Sequence, residues 1–182
     1  MSRLNLLPLA LIMSALALSF ATPSVARAYE DQATLGVDLG WLGAPSAEAG
    51  VPRNGVSLGL SGTLGLGDSW SLGGRVGYAL HPADPTLHSG VGGLELIYLV
   101  DVLRLVPSLG LGVDGFFSLR DGELGADLAV HALLRLDFLF SRRLLFGVDF
   151  RVYALPFAFD DGGLAPLAMQ AGLRVSLTFD RY

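Results

Sequence analysis

The stretch from residue 126 to residue 140, ADLAVHALLRLDFLF, decides the fold. Every even-numbered position in it is apolar, while four odd-numbered positions are polar or charged: Asp127, His131, Arg135 and Asp137. Successive side chains of a β-strand point to opposite faces, whereas a helix would scatter these four around its circumference. The stretch therefore predicts a strand with one apolar face and one polar face.

Seven other segments repeat this alternation. The two that follow, 144–152 and 169–179, alternate without a break. The earlier ones contain more glycine but keep the same phase; they span 34–41, 56–66, 70–78, 91–99 and 105–114. Period-two segments bounded by turn residues are typical of antiparallel strands. The sequence therefore predicts eight strands.

The joins between these segments alternate in length. Short joins are predicted at 67–69, 100–104 and 141–143, and long joins rich in Pro, Gly, Asp or Ser at 44–55, 81–90 and 155–166. The brief join at 120–123 is the exception. Tight turns on one side and longer loops on the other are characteristic of bacterial membrane barrels.

The sizes of the residues on each face distinguish a membrane barrel from a soluble one. The chain is 52% hydrophobic with 24 Gly, yet the part after residue 28 has no apolar run long enough for a transmembrane helix. The polar face consists mostly of Gly, Ser and Thr with isolated charges, which suits a narrow lumen better than a solvated exterior. We therefore predict an all-β fold, an eight-stranded antiparallel up-and-down transmembrane β-barrel.

The N-terminus resembles a cleavable signal peptide. Arg3 precedes an apolar stretch at 4–20, and Ala26-Arg27-Ala28 matches the pattern that signal peptidase reads. A retained membrane anchor is the alternative, because the apolar stretch approaches the length of a membrane span. The predicted organisation is a signal peptide at 1–28 and an outer-membrane barrel at 29–182.

The charge and the missing residue types exclude several classes of function. The net charge is −5, and removal of the signal peptide takes away two Arg and no acidic residue, so nucleic acid is not an expected partner. Every basic residue except His is Arg, which favours fixed ion pairs. The absence of Cys excludes disulfides and thiolate metal sites. No cofactor is expected.

Aromatic residues map to both ends of the predicted strands. Amphipathic rings favour the two interfaces of a bilayer, so they are expected to form two belts. The short-turn belt is predicted to contain Trp70, Tyr98, Phe138, Phe140, Phe146 and Phe179, and the long-loop belt Trp41, Tyr78, Phe117, Tyr153 and Phe157.

In its layout, the region 33–182 resembles the small outer-membrane barrels, such as the transmembrane domain of outer membrane protein A and outer membrane protein X. The resemblance rests on the eight alternating strands, the rhythm of turns and loops, and an aromatic-bearing last strand. It implies an outer-membrane location, contact with outer-membrane lipids, and help from periplasmic chaperones and the barrel-assembly machinery during biogenesis. The last strand departs from the pattern, because Asp180-Arg181-Tyr182 follow Phe179 and Tyr182 is out of phase.

The polar face would collect the ionisable residues in the lumen. The predicted lumen network contains Asp38, Arg75, Glu95, Asp114, Asp127, His131, Arg135, Asp137, Asp149, Arg151 and Arg174. Charges in a narrow interior must pair or stay hydrated. One interpretation is a plug of ion pairs in a protein with a structural or surface-interaction role, whose long loops contact an extracellular partner. The alternative is a thin path for protons, ions or small solutes.

An outer-membrane lipid-modifying enzyme is the third hypothesis. Its best local candidates are His81, Asp84, His88 and Ser89, since a nucleophile needs a nearby base. The same two His and Asp84 are candidate ligands for a divalent metal, although two His in a loop are more commonly solvated. The sequence shows no complete catalytic constellation, so no catalytic or metal site is assigned and we do not expect an enzyme.

Overall fold

The computed structural model describes residues 32–43, 54–84, 86–100, 104–120, 122–155 and 167–180. The predicted signal peptide, Phe157, Tyr182 and most of the long joins at 44–55 and 155–166 lie outside these residues. In the part of the chain that is described, no helix combines the length and apolar character that crossing a membrane requires.

Eight strands form one closed barrel. Each strand pairs antiparallel with its neighbour in the sequence, and the last pairs with the first. In chain order they are β1 Gln32–Gly43, β2 Asn54–Gly65, β3 Trp70–His81, β4 Leu87–Leu99, β5 Leu105–Arg120, β6 Glu123–Leu139, β7 Leu144–Ala154 and β8 Leu167–Asp180. The predicted fold class is confirmed.

The two faces of the barrel wall carry different residues. Leu111 and Leu173 point outward and are 70% and 66% exposed, whereas Glu95 and Arg151 point inward and are each 1% exposed. Every Leu, Val and Phe in the alternating rows that the sequence places outward stands on the outer face. For these rows the predicted outward orientation is confirmed, while the inner face carries small and charged residues together with buried apolar ones such as Phe116, Ile97 and Leu133.

Several strands are longer than the sequence indicates. β5 continues to Arg120, β3 continues to His81 and β4 begins at Leu87, so the join predicted at 81–90 is shorter. The Pro, Asp, Ser and Gly of that stretch had indicated a loop, but in a narrow barrel a glycine within a strand leaves room for its cross-strand neighbours. Gly122, with φ of 84°, makes the tight β5–β6 turn.

The β5–β6 hairpin extends beyond the described part of β7 at the long-loop end. The pairing of β6 with β5 reaches Glu123, whereas its described pairing with β7 begins only at Val130. On its other side, β5 pairs with β4 up to Leu119. Among the described residues the first part of β6 therefore pairs with β5 alone, and one predicted lumen residue lies there.

Candidate functional site: a filled lumen

Glu95 is the centre of a buried ion cluster in the middle of the lumen. Its Oε1 accepts a hydrogen bond from Arg135 Nη2 at 3.2 Å. Its Oε2 lies 3.2 Å from His131 Nε2 and 3.4 Å from Arg151 Nη2. Arg151 also pairs with Asp149. Residues of β4, β6 and β7 are therefore fixed to one carboxylate.

His131 connects this carboxylate to a second one. Its Nδ1 lies 2.5 Å from Asp114 Oδ2, so both ring nitrogens contact carboxylate oxygens. Asp114 Oδ1 lies 3.5 Å from Arg75 Nε, which brings β3 and β5 into the cluster. The ion pairs thus cross the lumen rather than following one wall.

Gln170 continues the network towards the long-loop end. Its Oε1 accepts hydrogen bonds from Arg75 Nη1 at 3.1 Å and from the Tyr153 hydroxyl at 2.7 Å, and its amide nitrogen lies 3.4 Å from Ser57 Oγ. The Arg75 guanidinium lies 5.3 Å from the centre of the Tyr153 ring, within cation–π range. Gln170 lies four residues before Arg174 on β8, so both side chains point to the same face of the strand. This spacing was the signal in the sequence that Gln170 lies in the lumen.

An apolar layer closes the lumen above the ion cluster, and the sequence analysis missed it. Its members are buried residues of the inner face at the long-loop end: Leu42, Ala79, Phe116, Ala129, Tyr153, Leu155 and Ala168, with Val91 packed against them. Phe116 and Tyr153 meet edge to face with centroids 5.2 Å apart. The remaining cavity at this level is only about 10 Å³.

Tyr153 was predicted to lie in the outer aromatic belt, and that prediction is wrong. The ring points into the lumen and is fully buried. The strand phase gave the correct answer, because Tyr153 is two residues after Arg151 and four after Asp149. Its hydroxyl reaches Gln170 inside the barrel, which satisfies its polar end without an interface.

A smaller cluster lies towards the short-turn end. Asp38 Oδ1 is 3.8 Å from Arg174 Nε, and Asp38 Oδ2 accepts a hydrogen bond from Ser61 Oγ at 2.7 Å. Asp137 and Arg174 line a cavity of about 30 Å³ together with Ser and Thr hydroxyls and with apolar side chains that include Ile97, Val106 and Leu145. Its volume is large enough for water, and its hydroxyls and charges supply hydrogen-bond partners.

Glycines on the inner face make room for the charged side chains. A Cβ on Gly93 would stand 2.2 Å from both Asp114 Oδ1 and the carbonyl oxygen of Val113, and one on Gly112 would stand 2.4 Å from the His131 ring. Glu95 pairs across the strands with Gly73 on one side and Gly112 on the other. The many glycines of this chain are thus part of the lumen packing.

The structure brings most of the predicted lumen network together but not Asp127. The residues that are buried on the inner face are Asp38, Arg75, Glu95, Asp114, His131, Arg135, Asp137, Asp149, Arg151 and Arg174. Asp127 is only partly buried and pairs across the strands with Phe116, a member of the apolar layer. It lies on the part of β6 that precedes its described pairing with β7, outside the central cluster.

The candidate set at residues 81–89 is not assembled into one site. His81 and Ser89 are buried on the inner face, whereas His88 is on the outer face with Nδ1 2.5 Å from the Tyr78 hydroxyl. Asp84 is in the exposed turn. Because the sheet separates the two His side chains, they do not converge on one ligand or one reacting group. Among the described residues, no group of three or more possible ligands is placed to hold a metal ion.

The outer face carries aromatic residues at both ends of the strands. At the short-turn end, Trp70 and Tyr98 meet edge to face at 5.0 Å, as do Phe140 and Phe146 at 5.7 Å. At the long-loop end, Trp41 Nε1 donates to Asn54 Oδ1 at 3.0 Å. This arrangement is that of a protein whose belt is surrounded by lipid.

A closed eight-stranded barrel with an apolar exterior and a filled polar lumen is the fold of the small outer-membrane β-barrels. The chain is similar in structure to Neisserial surface protein A, with 10% identity and a TM-score of 0.59 over 82% of this chain and 96% of that one. It is also similar to the N-terminal barrel domain of OprF from Pseudomonas aeruginosa, with 15% identity and a TM-score of 0.59 over 82% and 98%.

A further similar structure is Ail, the attachment invasion locus protein of Yersinia pestis, with 9% identity and a TM-score of 0.52 over 82% and 99%. No protein-family model matches the chain, and no curated protein matches it in sequence. At these identities the likeness shows the fold, and it confirms the predicted resemblance at that level.

Proposed function

We propose that this chain is an integral outer-membrane protein with a sealed lumen, whose role is structural or surface-interacting rather than conductive. The observation that carries the proposal is the filled cross-section of the barrel. The ion cluster around Glu95 and the apolar layer around Tyr153 occupy successive levels of the lumen. Eight strands enclose a space that side chains alone fill.

The buried charges support a permanent plug. Within the described residues, the lumen holds five buried carboxylates and four buried Arg, with His131 between two of the carboxylates. Removing one member of a buried pair leaves an uncompensated charge, which costs about 3–5 kcal/mol. Opening a path through the cluster would separate several such pairs at once, so the closed state is strongly favoured.

Planar-bilayer recording on the refolded chain tests this proposal. The expected trace has no reproducible open steps. A variant that combines Tyr153→Ala with Arg151→Ala removes one large side chain from each sealing level and serves as the positive control, because it is expected to conduct. Steady unitary steps from the unsubstituted chain would refute the sealed lumen.

Conduction of protons or small ions remains the second candidate. One observation favours it: the cavity at the short-turn end is lined by the charged groups of Asp137 and Arg174 and by hydroxyls. A polar cavity that reaches the ion cluster supplies part of a path. The same recording decides between the two candidates, because a conducting lumen gives a measurable current and a sealed lumen gives none.

For biogenesis, the proposal includes recognition by periplasmic chaperones and the barrel-assembly machinery. The outward row Leu173, Val175, Leu177 and Phe179 ends β8 with an exposed aromatic ring. Replacing Phe179 by Ser is expected to lower the amount of chain recovered in the outer membrane, as measured by fractionation and a heat-modifiability gel. Unchanged recovery would argue against that role. An extracellular partner is proposed for the long-loop side, where Phe117 and Leu124 are exposed.

A further inference from the structure

Three arginines lie on neighbouring turns at the short-turn end of the barrel. Arg104 directly precedes β5, while Arg142 and Arg143 lie in the β6–β7 turn. The Leu139 amide donates to the Arg104 carbonyl at 2.8 Å, and the Thr178 amide donates to the Arg143 carbonyl at 2.8 Å. Backbone hydrogen bonds therefore hold both turns side by side. We refer to Arg104, Arg142 and Arg143 as the basic turn patch.

An aromatic group borders the basic turn patch on the outer face. Phe138 and Phe146 are cross-strand partners, and Phe140 stacks edge to face on Phe146. Phe140 is 67% exposed, more than either neighbour. These rings are the last part of the apolar outer belt at the short-turn end, and the basic turn patch lies directly beyond them. The boundary between an apolar belt and charged residues corresponds to the headgroup level of a bilayer.

The arginines of the patch differ from those of the lumen in their partners. Arg75, Arg135, Arg151 and Arg174 are buried and lie in ion pairs. The three patch arginines are exposed, and among the described residues none has an ion-pair partner. Asp180, at the end of β8, and Asp68, in the β2–β3 turn, are exposed carboxylates on the same side. Among the described residues, the turns of this end therefore carry three exposed Arg against two exposed carboxylates, and all three Arg belong to the patch.

We propose that the basic turn patch binds the anionic headgroups of phospholipids in the leaflet on the short-turn side. A guanidinium donates two parallel hydrogen bonds to a phosphate, and its stem covers apolar surface such as the neighbouring rings. Each Arg near an anionic lipid surface adds to the attraction, which falls off within a Debye length. This inference rests on membrane insertion alone, so it holds whether or not the lumen conducts.

The test measures lipid preference of the full chain in bilayers. The refolded barrel is reconstituted in vesicles that contain phosphatidylcholine and phosphatidylglycerol, and spin-labelled forms of each lipid report their relative association with the protein. The expected preference for phosphatidylglycerol is about tenfold at low salt and falls as salt is raised, because exposed charges are screened. Equal association of both lipids with the unsubstituted chain would overturn the proposal.

Arginine substitutions test whether the basic turn patch causes the preference for phosphatidylglycerol. The triple change Arg104→Gln, Arg142→Gln and Arg143→Gln is expected to reduce the preference to about that of a neutral surface. Arg120→Gln removes one positive charge at the opposite end of the barrel and is the control for each single variant of the patch. Phe140→Leu removes a ring while keeping every charge; both controls are expected to keep most of the preference. A heat-modifiability gel confirms folding, and if the triple variant does not fold, the single variants are each expected to lower the preference. A loss equal for Arg120→Gln and the triple variant would refute the assignment.

Discussion

The lumen differs between its two halves, although the wall around it is continuous. In the long-loop half and the centre, the apolar layer and the Glu95 cluster leave a cavity of about 10 Å³. In the short-turn half, Asp38 and Arg174 stand 3.8 Å apart beside a polar cavity of about 30 Å³. The long-loop half and the centre are thus packed more tightly than the short-turn half, whose cavity has room for water.

The difference follows from the residue sizes. The long-loop half places Tyr153, Phe116 and Leu42 inward, and the centre places long Arg side chains against Glu95. The short-turn half lines its cavity with Ser and Thr and with aliphatic side chains such as Ile97 and Val106, and none of the lining residues is aromatic. Substitutions in the tightly packed part should therefore cost more stability than those beside the cavity, where water can take the place of a lost partner.

Glu95→Gln is expected to have the largest effect. The amide keeps the shape but removes the charge that faces Arg135, Arg151 and His131. Breaking a buried ion pair costs about 3–5 kcal/mol. Urea unfolding in lipid bilayers, followed by tryptophan fluorescence, measures the loss. A free energy of unfolding unchanged from that of the unsubstituted chain would show that the cluster does not hold the barrel.

Gly93→Ala is expected to cost about 1–3 kcal/mol, since an extra methyl group in a packed interior forces the backbone to shift. The new Cβ would overlap Asp114 Oδ1 and the Val113 carbonyl oxygen. The matched control is Gly92→Ala on the outer face, where the nearest atoms are 3.7 Å away. The same unfolding experiment compares the pair; equal losses for both would refute the role of the inner glycines.

Asp38→Asn is expected to cost about 1 kcal/mol, well below the cost of Glu95→Gln. The amide keeps a partner for Ser61, and the cavity beside Arg174 admits water. A loss as large as that of Glu95→Gln would contradict the distinction between the tightly packed part and the half whose cavity has room for water.

Tyr153→Phe is expected to have the smallest effect, about 0.5 kcal/mol, the lower end of what one hydrogen bond contributes. The ring keeps its contact with Phe116, and Gln170 keeps Arg75 as a donor. Thermal unfolding of the reconstituted chain provides the measurement. A loss above that of Gly93→Ala would indicate that the hydroxyl, rather than the ring, closes the lumen.

The strands and the sorting of their faces could be predicted from the sequence because both follow from a period of two. The stretch around Arg135 alternates so regularly that only a strand explains it, and the same phase placed Asp149, Arg151 and Arg174 inside. The same alternation also places Tyr153 inside, because it lies two residues after Arg151. Tyr153 was assigned to the outer aromatic belt instead, because aromatic residues near strand ends commonly belong to such a belt.

The period-two pattern could not predict how far each strand extends relative to its neighbours, and several side-chain positions depend on that. Asp127 has the right phase for the lumen but lies beside Phe116 of the apolar layer, on the part of β6 that precedes its described pairing with β7, and not in the ion cluster. Likewise, the opposite faces of His81 and His88 follow from β3 and β4 extending into the stretch 81–90, where Pro, Asp, Ser and Gly had indicated a loop. The partners of Glu95 depend on the closed ring, which joins β4, β6 and β7 across the lumen.

The most direct test of this account is nuclear magnetic resonance of methyl-labelled protein in lipid bilayers, which detects contacts between methyl groups and lipid acyl chains. The methyls of Leu111, Leu134 and Leu173 are predicted to contact acyl chains. Those of Ile97, Val106 and Leu133, which are buried on the inner face, are predicted to contact none. Acyl-chain contacts to the second set, or their absence from the first, would contradict the arrangement of the whole barrel.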